Sequence, residues 1–104
     1  MRIENDALLQ YFRSRPFCEW CKKSGYGFDP AHVLARGLGG GSQLDVALNL
    51  CSLCRTCHTN HHAGFSPTKE ELFELIARRE GLENGDVVLQ ALWRLQRQTK
   101  QCKS

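Results

Sequence analysis

Apolar residues fall in two rhythms along these 104 residues, one close to the helical period and one close to two. Near the start, Ile3, Leu8, Leu9 and Phe12 recur at near-helical spacing, with Asn5 or Asp6 available as a cap. This predicts a short helix ending before Pro16. Residues from about 31 to 35 predict a short strand, because Pro30 and the four glycines between 37 and 41 rule out a long helix. Leu44, Val46, Leu48 and Leu50 then alternate with other residues, the pattern of a second strand or of an extended approach to one. From about Arg55 to Ala63 the chain suits a short helix, stopped near Gly64. Ser66-Pro67-Thr68 opens a longer helix, with Pro67 in its first turn, and Thr68 and Glu71 are spaced for a capping box. Leu72, Leu75, Ile76 and Arg79 share one face of it, and Gly81 is the stop. Asn84-Gly85 makes a turn, and Asp86 is read as the cap of a last helix carrying Val88, Leu89, Leu92, Trp93 and Leu95. Trp20 and Trp93 are assigned to packing. The prediction is an α+β protein of one domain, 1–104, with its core over 18–64 between an N-terminal helix and a helical extension over 66–100.

Size changes this picture little, but it raises the value of a staple. A domain of this length has a narrow margin of stability, and a bound metal widens it. No run approaches the roughly 18 to 20 apolar residues of a membrane span. The opening MRIENDALLQYF lacks a basic start with an apolar run behind it, so the expectation is no signal peptide and a cytoplasmic protein. In that compartment paired cysteines serve as metal ligands, whereas in a secreted chain the six would form three disulfides. The formal charge is +3; four metal-bound thiolates and one dication would lower it by two, to +1. Bulk charge therefore says little about nucleic acid, and its distribution says more. Arg94, Arg97, Lys100 and Lys103 form a tail free of acids, and Arg13, Arg15, Lys22 and Lys23 face only Glu19. Both suit phosphate binding, against the plainer reading of solvated faces.

The densest chemistry is NLCSLCRTCHTNHH, residues 49–62, with three cysteines and three histidines in fourteen positions. Cys18 and Cys21 form one CxxC pair, and either Cys51/Cys54 or Cys54/Cys57 forms a second. Two such knuckles closing on one tetrahedral Zn²⁺ are the expected structural site. Cys54 and Cys57 are favoured, because Cys51 falls in the alternating stretch where a small thiol packs well. A site completed by Cys57 and His61 is the remaining variant, and Cys102 is left as a free thiol. A redox role for the CxxC pairs is a weaker alternative, since two pairs with histidines point to metal. His58 and His62, four apart on a helix, lie on one face and can hold a second ion. His61 points about 100° away from His62. His32, on the strand between the cysteine pairs, is placed to deprotonate a water.

In order, Cys18-x-x-Cys21, Ala31-His32-Val33, Arg36-Gly37, Gly40-Gly41, Asn49-Leu50 and Cys54-x-x-Cys57-His58-x-x-x-His62 resemble the HNH endonucleases, across residues 18–62. The resemblance implies a ββα-metal core with a separate four-cysteine zinc and a metal-dependent endonuclease acting on DNA. It implies that His32 is the general base, that Asn49 holds the loop that aims it, and that His58 and His62 bind a catalytic Mg²⁺, Mn²⁺ or Ni²⁺. It further implies that Arg36 clamps the scissile phosphate, with Gly40-Gly41 allowing close backbone approach. Many members carry Asp or His just before the general base, as an additional ion ligand. Here that residue is Ala31, and Asp29 is the candidate substitute. The expected partner is DNA held by its backbone with weak sequence specificity. One site per chain implies nicking, and double-strand cleavage would need a homodimer or two events. A larger nucleic-acid-processing complex is a further partner considered, and a catalytically inactive zinc-stabilised binding module of the same fold is the alternative function.

Overall fold

A computed structural model describes residues 4–34 and 44–101, with side chains through residue 95. Among these residues the chain forms four α-helices and a two-stranded antiparallel sheet, an α+β arrangement. Helix α1 (Asp6–Arg13) starts at Asn5, whose side chain accepts the Leu8 amide, and buries Phe12. Strand β1 (Asp29–His32) pairs with β2 (Leu50–Leu53) in the register Asp29 to Leu53 and His32 to Leu50. Pro30 is tolerated because each strand of a two-stranded sheet has a free edge. The strand starts two residues earlier than predicted.

The alternation from Leu44 to Leu50 does not form the second strand. Residues Ala47–Asn49 make a 3₁₀ turn, and β2 begins only at Leu50. All four β2 residues are buried, since α1, α2 and α3 pack around the strand. A strand covered on both faces reads as an apolar run, and the alternating stretch is the approach that leads into it through the 3₁₀ turn. Its one polar member, Ser52, donates its hydroxyl to the Phe12 carbonyl.

Helix α2 (Arg55–His62) follows β2 directly. Pro67 precedes the next helix instead of standing in its first turn: Thr68 is the N-cap of α3 (Lys69–Glu80), and its capping box with Glu71 is complete. Gly81 closes α3 at φ 74°, a backbone conformation that favours glycine. The cap of α4 (Gly85–Gln101) is Asn84, not Asp86, because the Asn84 side chain accepts the Val87 amide. Gly85 has a separate steric reason to be glycine. A Cβ there would sit 3.1 Å from the backbone of Glu74 and from the Phe73 Cβ. Helices α3 and α4 are therefore packed tightly, and Leu72, Ile76, Val88 and Leu92 join Val33, Leu44, Cys51 and Leu53 in one buried cluster. The helical extension is part of the core. Trp20 packs against this cluster as predicted, but Trp93 does not: it is 49% exposed. No helix among the described residues is long and apolar enough to cross a membrane. Arg36, Gly40, Gly41 and Cys102, and the side chains of the basic tail beyond residue 95, lie outside the described residues.

Arg79 shares the inward face of α3 as its spacing predicts, and it acts there as a polar bolt. Its guanidinium donates to the Glu19 carboxylate and to the carbonyls of Leu50 and Ala47. Glu19 is buried and also pairs with Arg15. Arg15 is thereby withdrawn from the basic patch predicted around the first cysteine pair. Arg79→Ala leaves the buried Glu19 with Arg15 as its one cation among the described residues and takes the side-chain donor from the Leu50 and Ala47 carbonyls, which together costs about 3 kcal/mol. The expected result is a lower urea midpoint at unchanged slope.

Candidate functional site

The first cysteine pair sits on a tight knuckle. Cys18 donates its amide to the Lys23 carbonyl, Lys22 closes back on the Cys18 carbonyl with φ 67°, and Phe17 bridges Ser24. The second pair sits at the start of α2: Cys54 is the N-cap, and its sulfur accepts the Cys57 amide. The sulfurs of Cys18, Cys21, Cys54 and Cys57 all lie within 4.8 Å of one another. Sulfurs around a tetrahedral Zn²⁺ at about 2.3 Å are about 3.8 Å apart, and those of Cys21 and Cys54 are 3.9 Å apart. The four cysteines can thus hold a metal such as zinc. Burial works against a thiolate at Cys18, but the amides of Cys21, Cys54 and Trp20 outweigh it and bring the thiol to about 7. Cys57 is pushed the other way, by burial and by the Cys54 and Cys18 sulfurs beside it. Thiolates crowded this closely repel one another, and a dication removes that conflict.

Cys51 is not a ligand. It lies in β2, fully buried, and burial together with the Glu19 charge holds its thiol far above the ordinary range. His61 does not belong to the quartet either, whose members are all cysteines; its Nδ1 is 3.0 Å from the Pro67 carbonyl, to which it can donate. Cys51→Ser should retain one metal ion per chain and lose on the order of 1 kcal/mol of stability. Metal content by elemental analysis, read beside a denaturation curve, checks both halves.

His58 and His62 meet across one turn of α2, with their Nε2 atoms 3.0 Å apart. That spacing is a hydrogen bond between imidazoles. It also equals the separation of two nitrogens bound at right angles to one ion at about 2.1 Å. Asp29 does not join them as a direct ligand, contrary to the expectation for it. Its Oδ2 is 2.9 Å from the opposite ring nitrogen of His58, Nδ1, and 3.2 Å from Arg55 Nε. Burial alone would raise the Asp29 carboxyl, but the His58 bond and the Arg55 charge bring it below its ordinary value. An ionised Asp29 fixes His58 with Nδ1 as donor and Nε2 as the free lone pair, the usual backing of a metal-binding histidine. His62 is held below the ordinary histidine value by partial burial and by the charges of His58 and His61.

Asn49 is fully buried, and each part of its side chain is used. Its Oδ1 accepts the Leu34 amide at 2.6 Å, and its Nδ2 donates to the carbonyls of Leu44 and Leu34. One side chain therefore fastens Leu34 to Leu44, ten positions apart in the chain. His32, at the end of β1, is 29% exposed, and its Nε2 is 2.6 Å from Asp45 Oδ1. Strand alternation turns Asp29 and Ala31 to one face of β1 and His32 to the other. Ala31 is buried, so its position offers no ligand. A cleft of about 410 Å³ beside the histidine pair is lined by Val33, His61, His62, Gly64, Thr68, Lys69 and Glu70, and His32 is not among its lining residues.

Sequence reasoning missed Asp45, Glu19 and the actual work of Asp29. The signal for Asp45 was present: a lone acid between Leu44 and Val46, in a stretch expected to be buried. Comparison with protein-family models, curated proteins and solved structures finds no match to this chain.

Proposed function

We propose that the chain is a metal-dependent HNH-type endonuclease that hydrolyses DNA phosphodiester bonds and grips its substrate through backbone phosphates. One observation carries the reading: a buried asparagine ties Leu34, two residues after His32, to Leu44, while α2 presents two histidine Nε2 atoms 3.0 Å apart. A module that only needs to fold has no use for both devices beside a four-cysteine staple. The succession β1, β2, α2 is in keeping with the ββα-metal core that the sequence motifs imply.

His58 and His62 would hold a divalent ion such as Mg²⁺, Mn²⁺ or Ni²⁺, which supplies charge stabilisation at the phosphate and the departing 3′-oxygen. His32 removes the proton of the attacking water. Asn49 holds Leu34, and through it the end of β1 that carries His32, and Asp29 keeps the His58 lone pair turned outward. Arg36 and the Gly40-Gly41 backbone serve as phosphate contacts. The product expected of one site per chain is a nick.

Buried Ala31 favours a second reading, a zinc-stabilised module that binds nucleic acid without cutting it. Incubating supercoiled plasmid with the purified protein and Mg²⁺, Mn²⁺, Ni²⁺ or EDTA separates the two. Relaxation that requires an ion and stops with EDTA supports the nuclease. Retarded but uncut plasmid with every ion sinks it in favour of the binding module.

A further inference from the structure

We infer that Asp45 is the positioning residue of His32, and that the pair forms a carboxylate–imidazole dyad in which Nδ1 of His32 accepts the water's proton. The inference rests on His32 being the general base. Asp45 is 1% exposed, a costly place for an acid unless its charge is used. Its Oδ1 lies 2.6 Å from His32 Nε2, and its Oδ2 accepts the Asn5 amide at 2.9 Å. An ionised carboxylate only accepts, so the proton in the short contact sits on Nε2. A neutral imidazole has one N–H, which leaves the free lone pair on Nδ1.

The step balances simply. One O–H bond of water breaks as Nδ1–H forms, the resulting hydroxide attacks phosphorus, and the bond from phosphorus to the 3′-oxygen breaks. The 3′-oxygen takes a proton from solvent, and His32 returns its own proton to solvent. While His32 is an imidazolium, Asp45 faces it through the Nε2–H and stabilises the charge, as the aspartate of a hydrolase triad does. Anchoring Asn5 alone would need only a neutral acceptor.

The clamp at Asn49 fits this role from both sides. Leu34, which it holds at amide and carbonyl, lies two residues after His32; Leu44, held at its carbonyl, lies one residue before Asp45. One asparagine thus fixes both halves of the dyad relative to each other. Asn5 also caps α1 through its own side chain, so the first helix is moored to the same carboxylate.

Two measurements on the full zinc-loaded chain test the dyad. In a long-range ¹⁵N spectrum of the imidazoles at neutral pH, His32 should be the Nε2–H tautomer. This spectrum requires no variant, so a poorly folding mutant cannot obscure it. In plasmid cleavage, Asp45→Asn should lower kcat by roughly 10²–10⁴-fold with KM and zinc content unchanged. The same substitution should add nothing in a His32→Gln background. Equal losses in both backgrounds would make Asp45 a structural anchor and overturn the dyad. An Nδ1–H tautomer in the wild type overturns it as well, and leaves the nuclease reading standing. A wild type that cuts no DNA overturns the nuclease reading and, with it, any catalytic role for Asp45.

Discussion

Stripped of zinc by a strong chelator, or with Cys54 or Cys57 replaced by serine, the protein should lose its fold. The reason is the place of the quartet in the chain. Cys18 and Cys21 lie on a knuckle formed by a bridge and a few backbone bonds, and Cys54 and Cys57 lie at the first turn of α2. Without the ion, four sulfurs within 4.8 Å of one another retain only weak mutual contacts, and every thiolate formed opposes the next. Zinc binding to such sites is worth about 10–16 kcal/mol in small zinc domains, comparable with the whole stability of a domain, about 5–15 kcal/mol. The loss should appear as a fall in the helical circular-dichroism signal and disappearance of the cooperative transition, with recovery when Zn²⁺ is returned. A stripped protein that still unfolds cooperatively at its former midpoint would show that the hydrophobic cluster suffices alone.

Replacement of His32 should slow cleavage by orders of magnitude while sparing the zinc. General-base removal typically costs about 10²–10⁴-fold in rate. The choice of replacement matters, because alanine leaves the buried Asp45 carboxylate without its imidazole and costs roughly 1–3 kcal/mol of stability for that reason alone. Glutamine offers an amide N–H in place of Nε2–H and no basic lone pair. His32→Gln should therefore melt close to the wild type, hold its full metal and nick supercoiled plasmid about 10²–10⁴-fold more slowly. Cleavage at wild-type rate by this variant would remove His32 from the chemistry.

Much of the fold was legible in the sequence for local reasons. Capping is written in neighbouring residues, so Thr68, Glu71 and Gly81 define the ends of α3 as they stand. The cysteine quartet was legible because two-residue spacing is itself the geometry of a knuckle. What was hidden depends on residues far apart in the chain. Leu44 to Leu50 alternates, yet Ala47–Asn49 turn as a 3₁₀ helix against α3 and α4, with Val46 and Leu48 only partly buried, so the period does not mark a strand. Trp93 occupies a helix register that suits the core, but the α3–α4 packing turns it outward. Asp29 was correctly placed beside the histidines and incorrectly given a ligand's role; only the side chain's approach to Nδ1 of His58 distinguishes the two. Asp45 reaches His32 across 13 residues and Glu19 reaches Arg79 across 60, separations no local pattern encodes.

The grip of Asn49 on Leu34 and Leu44 has a consequence for how such a protein can diversify. Chain entering and leaving at one fixed gate can be lengthened, shortened or rewritten between those points while His32 and its carboxylate keep their places. Doubling a loop adds only about 0.6 kcal/mol of closure entropy. Under the proposed function, sequence changes between Leu34 and Leu44 would alter target preference and leave the positions of His32 and Asp45 unchanged.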